Sequence, residues 1–568
     1  MSMDVLLQVV PEGLNIGFKL IPALTTIGML VAFLAVGFFF RVADTDNLWV
    51  AGRSIGNIEN GMAIGANWMS AASYLGVAAT IATLGYFGLA YLVGWTAGYF
   101  ILLIFLASQF RRFGKYTAPD FVADRFYSDT GRAIAAVTTL FIAYVYAVSQ
   151  GRGMGLMSMY LFGTSYTQGV ILLMGVTIGY VALSGMLGTT KNMALQYVIL
   201  IIAFLGGLYA VGWTQGYSTV LPYLEFGDEA TLVAEEIARE FTAPFANAGY
   251  YEWVALCFTL IVGTCGLPHV LVRFYTVDNE RTARWSCVWG LFFICLLYWG
   301  TAAYAAFGTL LFDQSQALSF PFTSDQGDVV VVLTAQLANL PEWLVGLVAA
   351  GAVSAALATV AGLFISGSSA AAHDIYTNLY KPEASQREQL IVGRLTILGL
   401  GILVAATAIA DIGVIASLVA VAFAIAGVVM FPVFFLGLWW ERTTREGALA
   451  GMLVGLTISI VTIINDYAAQ VIGGEGPLVP ALNAVLPATS TALIGVPVVM
   501  AVIIAISLVT DDPPEEVKRL VRQCHSPEPM SRMESAEEVA TDGGEPSTES
   551  RATSARGAPD EGDDGRSR

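Results

Sequence analysis

The chain has 568 residues, 56% of them hydrophobic and only 12% charged, with a net charge of -17. A soluble chain averages about 25% charged residues, so this composition excludes an ordinary soluble protein, and the lack of a basic patch excludes nucleic acid as a partner. Cys257, Cys265, Cys287, Cys295 and Cys524 show no C-x-x-C or metal spacing, which excludes a disulfide framework.

Apolar runs recur from Ile16 to Val509, each long enough to cross a hydrocarbon core about 30 Å thick. They predict thirteen membrane helices, over 15–40, 61–85, 88–110, 133–162, 168–187, 193–215, 252–274, 286–311, 342–371, 393–411, 414–438, 447–465 and 491–509. The first run lacks a basic segment before it and a clear small-residue cleavage site, so it is read as a helix and not as a leader. An acidic external loop, 216–251, separates the sixth and seventh spans. The tail 511–568 is rich in Asp, Glu, Ser, Pro and Gly and is read as disordered.

Basic residues orient the set. With the amino end outside, the inner loops hold Arg41, Arg53, Arg111, Arg112, Lys115, Arg125, Arg132, Lys191, Arg273, Arg281, Arg284, Lys381, Arg387, Arg394, Arg442 and Arg445, whereas the outer segments hold Lys19 and Arg239. The tail then falls in the cytoplasm of the cell. Acidic residues crowding Glu225 to Glu240 and the tail would keep a surface hydrated in brine, which points to a halophilic prokaryote.

The stretch Asn67-Trp68-Met69-Ser70-Ala71-Ala72-Ser73-Tyr74-Leu75-Gly76 interrupts the second span with polar and small residues. Such a break exposes backbone carbonyls and is tolerated only where they line a cavity or bind something. A small cation and a solute are the expected occupants. Arg152, in Ser149-Gln150-Gly151-Arg152-Gly153, is the basic residue predicted well inside a span. Intramembrane charge is costly and marks function by default. A guanidinium can clamp a carboxylate through parallel hydrogen bonds. Arg152 can also serve as one half of a structural ion pair.

Seven motifs, in order, carry a family resemblance. They are Val50-Ala51-Gly52-Arg53; Asn60-Gly61 running into Met69-Ser70-Ala71-Ala72-Ser73; Gly114-Lys115-Tyr116-Thr117; Gly185-Met186-Leu187-Gly188-Thr189-Thr190; Gly263-Thr264-Cys265-Gly266-Leu267-Pro268-His269, on to Arg273-Phe274; Ala355-Ala356-Leu357-Ala358-Thr359-Val360-Ala361-Gly362; and Trp440-Glu441-Arg442 with Gly447-Ala448. The chain resembles the sodium:solute symporter family, and within it the cation/acetate symporters and their monocarboxylate relatives. The resemblance implies an all-α polytopic membrane protein with an inverted repeat of five helices. One copy covers 61–215 and the other 252–438, with one helix (1–60) before them and two (439–510) after.

The resemblance also implies a sodium site. Its ligands would be the carbonyls of Ala66, Met69 and Ala355 and the region of Ala358 and Thr359, with Na+ as the coupling ion. Ala358 stands where the family commonly has Ser, and Asn67 where the acetate branch often has Asp. Asn67, Ser70, Tyr74, Gln150, Arg152, Gly263 and Thr264 are the expected solute contacts, with Trp68 and Phe423 as walls. His269 and Arg273 are expected to gate or to hold structure. No nucleophile–base pair, phosphate loop or metal-ligand cluster is legible, which argues against an enzyme. The expected partners are sodium, a small organic anion such as acetate, the lipid bilayer and, as in some relatives, a small membrane subunit. A neutral solute and a membrane sensor are the alternatives.

Overall fold

The computed structural model describes residues 18–526, apart from 43, 218–221, 239, 247–248, 316–326, 411–412 and 472–475. No strand occurs among the described residues. Among the described residues ten helical stretches are long and apolar enough to cross a membrane, or eleven when the bent pair Tyr250–Gly266 and Pro268–Phe274 counts as one. Two of these stretches are double. Tyr166–Thr214 turns at Gly185, with φ 54° and ψ -159°. The run Ala72–Phe105 turns at Gly85, with φ 64° and ψ -149°, and its first part continues the helix Asn57–Trp68. Divided there, the set matches the thirteen predicted spans.

The spans are α1 (Leu20–Phe39), α2 (57–84, broken), α3 (Leu89–Phe105), α4 (Asp129–Phe162), α5 (166–184), α6 (186–214) and α7 (250–274, broken). They continue with α8 (Glu280–Ser315), α9 (Glu342–Ser369), α10 (Gln386–Ile409), α11 (Ile415–Trp439), α12 (Arg445–Val471) and α13 (Ala492–Val509). Burial sorts them into layers. The apolar windows of α9 and α11 are 89% and 94% buried, whereas those of α1 and α13 are 39% and 33%. The first pair forms the centre and the second presents its flanks to lipid. α9 packs on α4 and on the α5–α6 run, α2 on α8, and α3 on α7.

Both breaks follow from local chemistry. Pro268 cannot donate an amide and forces the residue before it out of the helical region; Leu267 sits at φ -75°, ψ 115°, and the two halves of α7 diverge by 52°. In α2 the helix stops at Met69, with ψ 67°, and resumes through a π turn, Ala72–Gly76. Polar side chains compete for the backbone there, which is how Ser and Asn weaken helices.

The tail departs from expectation. Glu515–His525 is a helix and not disordered chain, with Glu515 and Glu516 in its first turn and Arg522 and His525 in its last, the polarity that suits a helix dipole. Val517, Val521 and Cys524 form its buried stripe. Arg522 pairs with Glu441 at 2.8 Å, and His525 Nε2 donates to the Leu438 carbonyl at 2.9 Å. The polar composition of the whole tail masks this short amphipathic segment. Residues 527–568 lie outside the described residues.

The Gly185 turn lies in a region that only glycine occupies readily, and a β-carbon there would come within 2.7 Å of Val42 and 2.8 Å of Leu48. Gly185→Ala is expected to destabilise the protein by about 3 kcal/mol or more, seen as loss of monodisperse protein on size exclusion and a lower melting temperature than Gly206→Ala, where the space is open.

Candidate functional site

The break in α2 strands its own backbone. The Ser70 amide turns to the Trp68 carbonyl at 2.7 Å instead of reaching Ala66. The Ala71 amide donates to Gln150 Oε1 at 2.8 Å instead of the Asn67 carbonyl. The Ser73 amide meets Ser70 Oγ at 3.4 Å instead of the Met69 carbonyl. The carbonyls of Ala66, Asn67 and Met69 thereby lose their helical partners.

α9 answers one of them. Thr359 Oγ1 donates to the Asn67 carbonyl at 2.9 Å and approaches the Ala355 carbonyl at 3.2 Å. Ala66, Met69, Ala355, Ala358 and Thr359 are all fully buried. Carbonyls freed by a break and a threonine hydroxyl reaching one of them suit a hard cation, which prefers neutral oxygens where a fixed charge would be costly. Ala358 contributes no side-chain oxygen.

The expected solute contacts divide. Ser70 stays at the break. Gln150 caps the second half of α2, and its amide Nε2 donates to Ser149 Oγ at 2.8 Å. Asn67 is 2% exposed, and its Oδ1 has no hydrogen-bond partner among the described residues. Tyr74 points elsewhere: its hydroxyl donates to the Val348 carbonyl at 2.9 Å, pinning α2 to α9. Gly263 lies in a helix contact, where a β-carbon would come within 2.4 Å of the Phe423 carbonyl. Thr264 donates to the Leu260 carbonyl at 2.7 Å and presses on Gly98 of α3.

Arg152 is paired. Its Nε donates to Asp328 Oδ2 at 2.9 Å, with both side chains nearly inaccessible. Asp328 also accepts from the Ile415 amide at 3.4 Å. It faces a cavity of about 620 Å³ that Thr83, Tyr91, Glu252 and Ser417 also line. The sequence reading missed Asp328, which lies outside every apolar run.

Aromatic rings close around the break. Trp68 meets Tyr99 at 4.6 Å, Phe423 at 5.5 Å and Trp95 at 6.2 Å between centroids. Phe423 reaches Tyr146 at 5.8 Å, and Tyr146 meets His269 at 5.4 Å. The Tyr298 hydroxyl lies 2.9 Å from Ser73 Oγ. Trp95 Nε1 and both ring nitrogens of His269 are buried with no hydrogen-bond partner among the described residues. Sequence reasoning found Trp68, Phe423 and His269 but missed Trp95, Tyr99, Tyr146 and Tyr298, which lie on spans other than the two broken ones.

Arg273, fully buried, donates to Thr190 Oγ1 at 2.9 Å and to Met193 Sδ at 2.8 Å, while its carbonyl accepts from Asn60 at 3.0 Å. It ties the carboxyl end of α7 to α6 and α2. One further cluster corrects the expectation that no metal-type grouping exists. Asp120, His373 and Asp374 come together with their ligand atoms within 4.8 Å of one another. Arg132 pairs with both carboxylates and supplies the positive charge itself. Burial would raise the Asp120 carboxyl, but His373 and Arg132 hold it well below the usual carboxylate range.

Residues 48–455 match the sodium:solute symporter family. The chain belongs to that family. An uncharacterized symporter of Cupriavidus necator is 28% identical over 87% of this chain and 92% of its own length. The uncharacterized symporter YwcA of Bacillus subtilis is 32% identical over 82% and 90%. Among solved structures, a Na+-coupled sialic acid symporter in a substrate-bound outward-open state aligns with a TM-score of 0.71 at 17% identity, covering 88% of this chain and 99% of that one. Mhp1, a nucleobase-cation-symport-1 family transporter, aligns at 0.50 and 11% identity, covering 84% and 98%. These two show the fold: the inverted five-helix repeat of a multi-pass symporter. Family membership makes the protein a sodium-coupled solute transporter.

Thr359→Val keeps the volume of the side chain and removes its oxygen. It is expected to weaken sodium binding by about tenfold, roughly 1.4 kcal/mol, whereas Thr359→Ser stays near the parent. Titrating the tryptophan fluorescence of purified protein with NaCl at constant ionic strength measures both.

Proposed function

We propose that this symporter couples sodium entry to uptake of a small organic anion, a short monocarboxylate such as acetate, with sodium held by Ala66, Met69, Ala355 and Thr359. The observation that carries the solute class is the set of buried nitrogens without protein partners, Trp95 Nε1 and the His269 ring, beside the broken helix. A buried N–H with no acceptor is costly, so the site favours a solute that brings acceptor oxygens. The surrounding rings of Trp68, Tyr99, Tyr146 and Phe423 present apolar faces to a short chain and offer it no further charge.

A neutral polar solute is the second reading, favoured by one fact: the Arg152 guanidinium already has a carboxylate partner in Asp328. The basic inner loops support an amino end outside the cell membrane. One sodium with one monovalent anion moves no net charge, whereas a second sodium would draw about 2.3 kcal/mol per 100 mV from the membrane potential.

Uptake of labelled acetate into proteoliposomes separates these readings. Accumulation is expected only with an inward sodium gradient, and pyruvate and propionate should compete where neutral amino acids do not. Competition by neutral amino acids alone would replace the anion with the neutral solute, and equal uptake on a proton gradient would overturn sodium coupling. Trp95→Phe is expected to raise half-saturating acetate by about tenfold while leaving half-saturating sodium, measured by binding without acetate, unchanged.

A further inference from the structure

Asn67 presents two oxygens to one strip of α9. Its backbone carbonyl receives the Thr359 hydroxyl at 2.9 Å. Its side chain lies over Gly362, where an added β-carbon would fall 2.0 Å from Oδ1 and 2.9 Å from Cγ. Thr359 and Gly362 are three residues apart in a helix and share one face, and the Ala355 carbonyl lies one turn before Thr359 on that face. The strip offers no side-chain oxygen at Ala358 or Gly362. The side-chain oxygen of Asn67 is nonetheless buried, with no donor turned toward it among the described residues. An amide carbonyl left in that condition costs about 1–3 kcal/mol, a cost that a cation removes.

We infer that the side-chain carbonyl of Asn67 is a sodium ligand, placed on the Gly362 side of the site, and not a solute contact. A hard cation in a protein gathers about six or more oxygens, and the carbonyls of Ala66, Met69 and Ala355 with the Thr359 hydroxyl fall short of that. Asn67 adds a strong dipole without a fixed charge, so the empty site carries no unpaired carboxylate into the membrane. Gly362 is glycine because the amide lies against its α-carbon. Asn67 thus joins the two halves of the site: its backbone carbonyl is freed by the break in α2, and its side chain reaches past Thr359 along α9.

The inference rests on the sodium-coupled reading, and the test keeps the two apart. Purified protein is melted in NaCl of increasing concentration, with choline chloride holding ionic strength constant. The parent should gain thermal stability with sodium. Asn67→Leu is close in size and has no oxygen. Its melting temperature in choline should equal or exceed that of the parent, because a buried orphan carbonyl has gone, while its half-saturating sodium rises by about tenfold or more. Gly362→Ala, which displaces the amide and leaves it in place chemically, should weaken sodium in the same direction. A parent without any sodium-dependent shift would overturn the sodium reading itself. A parent that responds, beside an Asn67→Leu protein whose half-saturating sodium stays within about twofold, would overturn the role of Asn67 alone. Should Asn67→Leu fail to fold, Asn67→Ser, with a shorter side chain whose oxygen stops short of Gly362, takes its place and is judged by the same criterion.

Discussion

A helix that opens in the middle of a bilayer leaves amides and carbonyls where no water answers them. The architecture around α2 is organised by that constraint. Three amides find partners within the protein: Ala71 donates to Gln150, Ser70 to the Trp68 carbonyl and Ser73 to Ser70 Oγ. The carbonyl side is settled only in part, by one hydroxyl from Thr359. The asymmetry has chemical meaning. With acceptors left over, the break is a place for a cation, and α9 must lie close enough to complete it. That closeness explains why α9 is buried almost throughout and why glycine and alanine dominate its contact face.

The same constraint separates cation from solute. The oxygen-rich strip lies between α2 and α9, whereas the unpartnered nitrogens of Trp95 and His269 lie among rings drawn from α3, α4, α7 and α11. The broken helix α2 borders both. A ligand that reorders the break therefore changes both environments, and coupling of this kind is reciprocal between two binding sites. Toward the ends of the bundle, charge does structural work. Arg152 and Asp328 join α4 to the segment ahead of α9, Arg273 joins α7 to α6, and Arg132 joins Asp120 to Asp374. Each is a buried pairing whose disruption leaves a lone polar group behind, costing on the order of 3–5 kcal/mol for a charge. Such clasps suit a protein that exchanges between discrete packings.

Much of this was legible in the sequence, for identifiable reasons. Membrane spans announce themselves through hydropathy, and both breaks through polar residues, glycine and Pro268 within otherwise apolar runs. The partners of those breaks were not legible. Gln150 is 79 residues from Ala71 and Thr359 is 292 from Asn67, and nothing local to either residue reveals the contact; only family resemblance pointed to Thr359. Arg152 stood out as a costly charge, but its partner Asp328 sits in a segment without periodicity. Tyr74 and Thr264 look like site residues because they flank the breaks, yet helix rotation turns their hydroxyls to the Val348 and Leu260 carbonyls. The His373 cluster unites residues 253 positions apart, and the helix Glu515–His525 was hidden by the composition of the chain around it.

The account turns on whether the opened backbone of α2 binds sodium and passes that binding on to the solute. Equilibrium binding of radioactive sodium to the purified protein, with and without saturating acetate, tests this most directly. Saturable binding that potassium does not displace, tightened by acetate, is the expected result. Saturable sodium binding indifferent to every monocarboxylate would separate the cation from the anion chemistry, and no saturable sodium binding at all would contradict the account at its centre.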